Sequence, residues 1–323
     1  MTSHEILRTM KGRRALVVGD LMLDEYIFGR ATRISPEAPV MVVRQQRTKA
    51  VPGGAANVAR NLAALGADTS VVGVIGDDDA GRALQGSLGA AGIPHPGIVV
   101  DASRPTTRKT RVLADAAHQV LRIDEEDERP LDGPIADRLC LTALVHAENA
   151  QVIVISDYLK GTVTQQVAEA VIAFARKAGI PIVVNPKPAS LSHYRGATLV
   201  SLNRTEAAQA TGWSELAGFG TYPESSDLPR RAAQFVRDSL QAEHVLVTMG
   251  EHGMWTEDLE IPAPRVDVFD TAGAGDTTIA TVALGLAAVG YRREVFELAA
   301  LTSALVVQKV GVAVPTSEDL ANL

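Results

Sequence analysis

Short, continuous runs of apolar and β-branched residues recur along this 323-residue chain, separated by longer segments with helical spacing. Ala15–Gly19, Ser70–Ile75, Val152–Ser156, Pro181–Val184, Thr198–Leu202, Val245–Thr248 and Asp267–Phe269 read as strands. Gly54–Leu65, Ala80–Ala90, Thr164–Ala178, Thr205–Gly212 and Leu228–Leu240 read as helices. Gly66, Gly92 and Gly179 stand where such helices stop. A strand that is apolar without alternation needs cover on both faces, and strands alternating with helices pair in parallel. The expected fold is therefore α/β: a mostly parallel central sheet flanked by helices on both faces. A hydrophobic content of 46% supports a core of that size, taken here as a single domain spanning 1–323.

Two stretches break the rhythm. Residues 26–50 and 105–124 mix polar and apolar residues nearly one for one, as half-exposed strands do. They read as a small β sheet inserted into the α/β core, serving as a lid, a dimer contact, or both. Ala114–His118 is the expected hairpin turn between two of its strands. The acidic runs 77–81 (DDDAG) and 124–128 (DEEDE) invite a metal reading, but simpler readings are preferred. The first falls at a helix start, where carboxylates suit the positive end of the dipole, and the second is read as a solvated turn.

A net charge of −7, with no basic tract, excludes the broad positive field that nucleic-acid backbones select. Any anionic substrate must meet local cations. The single cysteine, Cys140, cannot form an internal disulfide and is read as a small buried hydrophobe. Residues 1–14 lack a signal-peptide apolar core, and the longest apolar stretch, Ile279–Val289, is interrupted by Thr281 and Gly285. A membrane span needs about 20 such residues, so a cytoplasmic protein is expected.

Chemistry concentrates in 270–280, DTAGAGDTTIA. A β-type run leads into a turn containing Gly273 and Gly275, and a helix of small apolar residues follows. Glycines let the backbone approach a ligand, and the first N–H groups of a helix lack internal partners at the positive dipole end. Together they form an anion cradle. Asp276 lies inside it, either capping the helix or taking a proton from a hydroxyl that attacks a phosphoryl group. Two glycines and a second Asp six residues upstream exceed what capping requires, which favours the catalytic role. The chain has no G-x-x-x-x-G-K-[ST], and GAGDTT lacks the third glycine of a dinucleotide fingerprint.

DTAGAGD (270–276) resembles the C-terminal signature of the ribokinase/PfkB carbohydrate kinases, and PGGAANVARNLAALG (52–66) resembles their N-terminal signature. The resemblance covers essentially the whole chain. It implies a ribokinase-like fold with a β lid over the sugar, use of ATP and Mg²⁺, and direct phosphoryl transfer to a sugar hydroxyl. It places Asp276 as the base and the amides of Ala274, Gly275 and Asp276 against the transferring phosphoryl, with Gly273 opening the turn. Asn203 and Glu206 match an N-x-x-E element that organises Mg²⁺ and its waters; the same residues also read as a helix cap. Thr248, Gly250 and Gly253 match the nucleotide loop. Asp24, Gly53, Gly54 and Asn57 match sugar-binding positions, and Ala55, where ribokinases carry Lys, argues against ribose. Asn185 departs from the Asp expected before Pro186, so the metal shell loses one charge. A monovalent cation such as K⁺ is expected beside the cradle at Asp270 and the Gly311 loop.

Residues 19–40, 107–113, 156–161 (SDYLKG), 185–188 and 194–199 further resemble the branch of the family that phosphorylates D-glycero-β-D-manno-heptose 7-phosphate, here of the stand-alone type. Asp157 falls in one of these segments. A phosphorylated sugar needs cations, and Lys109 and Arg111 share a strand face at i, i+2, while Lys160 and Lys187 each follow a strand. Two or three of these converging on the phosphate is the favoured reading, with solvated surface cations the equal alternative for each alone; Arg33 is a weaker candidate. The rivals are a related kinase acting on a fructose phosphate, adenosine or another sugar, a nucleotide-dependent oxidoreductase, and a non-catalytic sugar-binding regulator. A homodimer joined through the lid strands is expected from their edge character.

Overall fold

The computed structural model describes residues 1–115, 118–217 and 227–323. Strands β1 (Arg14–Gly19), β4 (Asp68–Ile75), β5 (Gly97–Val100), β8 (Val152–Ser156), β9 (Ile182–Asn185), β10 (Leu199–Asn203), β11 (His244–Thr248), β12 (Met254–Trp255) and β13 (Glu260–Ile261) form one sheet. Its order is β13-β12-β11-β10-β9-β8-β1-β4-β5. From β11 to β5 all neighbours are parallel, and only β12 and β13 run antiparallel.

The continuous apolar runs have the cause inferred from them. Val17, Val152 and Val154 pack into a core with helices α1 (Ser3–Met10), α2 (Ala55–Ala64), α3 (Asp79–Ala90), α8 (Ala274–Val289) and α9 (Arg293–Val307). Leu16, Val18, Ile153 and Ile155, one residue out of phase, pack into a second core with α4 (Gly133–Ala147), α5 (Gln165–Ala178), α6 (Arg204–Thr211) and α7 (Leu228–Leu240). Alternate side chains of each strand thus leave water on opposite faces, each worth about 1.5–3 kcal/mol when fully buried. Helix α8 is buried nearly all round because its residues are small or apolar on every side. A short helix, α10 (Ser317–Ala321), follows.

The second sheet has the order β3-β2-β6-β7, with β2 (Leu21–Ile34), β3 (Met41–Gly54), β6 (Thr107–Ala114) and β7 (His118–Glu125). The pair β2 and β3 begins five residues before 26 and ends four beyond 50, and the pair β6 and β7 matches 105–124 to within two residues. The central pair, β2 and β6, is parallel, and the outer pairs are antiparallel. β2 leaves directly from β1 and β3 runs directly into α2, so this sheet stands on the same edge of the core as the segment around Asp276. The expected hairpin turn includes residues 116 and 117, which lie outside the described residues.

Two expectations are corrected. Asp267–Phe269 is not a strand: the Phe269 and Asp270 amides both donate to the Val307 carbonyl at the end of α9, and Val268 and Phe269 are exposed. The sheet edge there is already occupied by β12 and β13, so the β-branched run has no ladder to join. Nor is 124–128 a solvated turn. Asp124 and Glu126 pair with Lys109, Glu126 and Glu128 pair with Lys160, and Asp127 pairs with Arg129. The run ties the small sheet to the core. The 77–81 run does start a helix: Asp78 caps α3 by accepting from the Gly81 amide and also holds the Thr106 amide. Cys140 is buried in α4.

Candidate active site

Parallel strands bring their carboxyl ends to one edge, and ligands of open α/β sheets bind there. At this edge lie Asp20 after β1, the 156–162 loop after β8, Lys187 after β9, Asn203 at the end of β10 and Thr248 at the end of β11. The amino end of α8 completes the group. Gly273 precedes this helix at φ 84°, a left-handed conformation costly to residues with a Cβ, and an added Cβ would lie 3.0 Å from Asn57 Nδ2. Ala274 donates to the Thr271 carbonyl at 3.3 Å, so that amide is partly engaged within the turn. Gly275 has nothing within 4 Å of the place its Cβ would take, which leaves a ligand room to reach the backbone.

Asp276 does not cap its own helix. Its Oδ2 accepts from Asn57 Nδ2 at 2.7 Å, and its Oδ1 accepts from the Tyr158 hydroxyl at 3.0 Å. The residue is only 6% exposed. Burial pushes its carboxyl up to about 6, against the pull of the Asn57 and Tyr158 donors; Asp24 adds to the rise and Lys187 opposes it. A second row fixes Asn57: Asn61 Nδ2 donates to its carbonyl at 2.9 Å, and Thr277 donates to Asn61 Oδ1 at 2.7 Å. The signatures at 52–66 and 270–276 therefore meet through side chains of α2 and α8.

On one side of Asp276 lies a cleft of about 620 Å³. Thr248, Gly250, Gly253, Ala274 and Gly275 line it, together with Arg265 and the apolar Val268 and Val307. The other side is the root of the small sheet. There Arg111 Nη1 donates to Asp24 Oδ1, and the guanidinium lies 5.4 Å from the Tyr26 ring. Gly53 is required beside it, since a Cβ would fall 2.1 Å from Asp24 Oδ2. Gly54 has φ 54°, and a Cβ there would fall 2.6 Å from the Asp20 carbonyl oxygen.

Asn203 and Glu206 form a complete capping box for α6, each side chain accepting from the other's amide. Glu206 Oε1 also takes Lys187 Nζ at 2.5 Å. The Lys187 ammonium sits 4.7 Å from the centre of the Tyr158 ring. Asn185 spends its side-chain amide on the Ser201 carbonyl. Asp270 ties two loops, accepting from the Ala272 and Gly311 amides, each at 2.9 Å.

Of the four candidate phosphate cations, two come together and two stand apart, each facing a carboxylate. Lys109 and Lys160 meet at Glu126, Arg111 faces Asp24, and Lys187 faces Glu206. Arg33 lies at the exposed far end of β2. Asp157 is 1% exposed and structural in its contacts: it accepts from the Leu159 amide, Ser190 and Tyr194. Among the described residues no cluster of three or more His, Cys, Asp or Glu side chains has the arrangement of a metal site. No helix among them is long and apolar enough to cross a membrane. Sequence reasoning missed Tyr158 and Asp20. Asp20 is buried and accepts from the amides of Tyr158, Lys160 and Thr162, fixing the loop that carries Tyr158. The signal available was SDYLKG, noticed as a segment without a role for its tyrosine.

Comparison with known proteins gives the fold and the family of this chain. Among solved structures, phosphofructokinase-2 from Escherichia coli in complex with potassium superposes with a TM-score of 0.77 at 23% identity, over 96% of this chain and 97% of the other. Arabidopsis thaliana ribokinase complexed with ribose and ATP gives 0.70 at 20% identity, over 96% and 98%. These likenesses establish the fold. Two curated relatives are named bifunctional protein HldE. The one from Caulobacter sp. (strain K31) is 42% identical over 100% of this chain and 65% of its own length. The one from Pelobacter propionicus is 40% identical over 99% and 64%. This chain therefore spans a little under two thirds of these relatives. The family model described as pfkB family carbohydrate kinase matches residues 13–319, and the chain belongs to that family.

Proposed function

We propose that the chain transfers the γ-phosphoryl group of ATP to the anomeric O1 hydroxyl of D-glycero-β-D-manno-heptose 7-phosphate, giving the 1,7-bisphosphate used to build the ADP-heptose of lipopolysaccharide. The observation that carries a kinase reading is Asp276: a buried carboxylate with a raised pKa, free of capping duty, between a nucleotide-sized cleft and the polar root of the small sheet. A base poised near 6 is largely ionised at neutral pH yet basic enough to accept a hydroxyl proton. The reading of the sugar rests on the resemblance of residues 19–40, 107–113 and 156–161.

In this mechanism ATP lies in the cleft beside Thr248, Gly250 and Gly253. The sugar lies over Gly53 and Gly54, with Asp24 and Asn57 at its hydroxyls. Asp276 takes the O1 proton as the new O–P bond forms and the bond to the leaving ADP breaks. The open amides of Gly275 and Asp276 receive the charge on the transferring phosphoryl; catalysis of this kind is mostly positioning and electrostatics. Glu206 and Asn203 fit a role in holding Mg²⁺ through water rather than as a closed cage, since both already serve the α6 cap and kinase sites hold this ion with few carboxylates and the substrate phosphates. When bound, the ion neutralises phosphate charge. K⁺ has its candidate place at Asp270 and Gly311. The active unit is a homodimer joined through the small sheet, in a cytoplasmic protein.

The test is ADP release with Mg²⁺-ATP and the heptose 7-phosphate. We expect turnover by the wild type, and a loss of about 10²–10⁴-fold in Asp276→Asn with ATP still bound. An ATP-binding wild type that ignores the heptose but accepts a fructose phosphate would replace this substrate with the runner-up.

A further inference from the structure

The base is held by more than its own helix. Tyr158 is partly buried, its hydroxyl donates to Asp276 Oδ1 at 3.0 Å, and its ring carries the Lys187 ammonium at 4.7 Å. Lys187 in turn pairs with Glu206 at 2.5 Å. One side chain thus touches both the base and the Lys187–Glu206 ion pair. The backbone around it is fixed as firmly. Asp20 accepts from the amides of residues 158, 160 and 162, and Asp157 accepts from that of Leu159. Leu159 adopts φ 58° and Gly161 φ 80°, so the loop is a tight left-handed turn, and Leu159 is strained there. Strain of this kind persists where surroundings over-determine it, and two buried carboxylates do so here.

We propose that Tyr158 is a positioning residue for the phosphoryl-transfer base: its hydroxyl sets the rotamer of the Asp276 carboxylate, and its ring sets the distance from that carboxylate to the Lys187–Glu206 pair. This rests on the kinase reading given above but not on the identity of the sugar. Asn57 and Tyr158 occupy two of the roughly four acceptor positions of a carboxylate, leaving the rest for a substrate hydroxyl. Burial, and next the charge of Asp276, keep the phenol protonated, so it acts only as a donor. The other charged groups facing Asp276 are Asp24 from the small sheet and Lys187.

The two halves of the role separate in two variants. Tyr158→Phe keeps the ring and removes the hydroxyl; kcat should fall about tenfold or more, with KM for ATP unchanged. Losing a donor destabilises the ionised carboxylate, so the acid limb of the kcat profile should move to higher pH. Tyr158→Leu also removes the ring, and should in addition raise KM for ATP. The same shift should appear without substrate, in an NMR titration of the Asp276 carboxyl in wild type and Tyr158→Phe. An unshifted carboxyl titration in a folded Tyr158→Phe protein would overturn the proposal, whichever sugar the enzyme uses. A shifted titration in a wild type inert toward heptose 7-phosphate would support it while removing only the substrate assignment.

Discussion

At the scale of single residues, Asp276 shows what a functional carboxylate costs. Its pKa rises from 3.8 to about 6 on burial, which is about 3 kcal/mol against the ionised folded state at neutral pH. The sign follows from the direction. A carboxyl whose folded pKa is raised favours folding below its unfolded value, near 4, and loses that contribution as pH rises through about 6. Asp276→Asn removes the charge at every pH. We therefore expect the variant to exceed the wild type in urea-unfolding stability at pH 8, by up to about 3 kcal/mol less what the imperfect fit of an amide to Asn57 and Tyr158 costs. The difference should shrink toward pH 4.5. The catalytic rate of the wild type should run the other way, falling as pH drops through about 6 and the base is protonated. Equal stabilities at pH 8 would show that surrounding donors already compensate the buried charge.

At the scale of elements, α8 must bring Asp276 to the sheet edge while packing against α9 at close range. Gly285 makes that approach possible: a Cβ there would fall 2.3 Å from Val295 Cγ1. Gly285→Ala should destabilise by about 1–3 kcal/mol through overpacking, read as a lower urea midpoint at unchanged slope. The elements also explain how far sequence reading reaches. β8 has the same ends in both, Val152–Ser156, because a buried central strand is apolar throughout. Helix α4 went unnoticed because Leu141 and Val145 put apolar residues on its exposed face, which blurs the helical period. The false strand at 267–269 has β-branched residues but no neighbour, a fact that only the tertiary arrangement holds. In the site, Asp276 and the turn of Gly273 and Gly275 were legible from local backbone chemistry, whereas Asn57, Gly53 and Gly54 were reached only through the resemblance of residues 52–66 to a family signature. Tyr158 was not, since its role exists only when the loop after β8 meets the helix after residue 273. The ion pairs of Lys109, Lys160 and Lys187 were hidden for the same reason: a sequence displays cations but not the carboxylates that face them.

At the scale of the whole molecule, the small sheet has two unlike faces. The face toward the core carries Asp24, Tyr26, Lys109 and Arg111, which stand in register across β2 and β6. The other carries Ile27, Val112 and Leu121 in one cross-strand row, with Ile123 two residues along β7. Leu121 is 52% exposed and Ile123 50%. Beyond residue 29, β2 and β3 continue as a two-stranded arm that outruns β6 and exposes Ile34 and Met41. Over five residues such an arm projects about 17 Å. Contiguous exposed apolar surface on an otherwise well-buried protein marks an interaction site. The homodimer proposed above would account for both features, because a two-fold axis pairs one arm with another and one apolar face with its equal. Leu121→Glu with Ile123→Asp places two like charges on each half of that contact and leaves the core-side face untouched. We expect light scattering at micromolar concentration to report a dimer for the wild type and a monomer for the double variant. The monomer should also bind sugar more weakly, since the sheet whose root carries Asp24, Gly53 and Arg111 loses its support. A monomeric wild type would end this reading and leave the apolar row without a second copy to cover it.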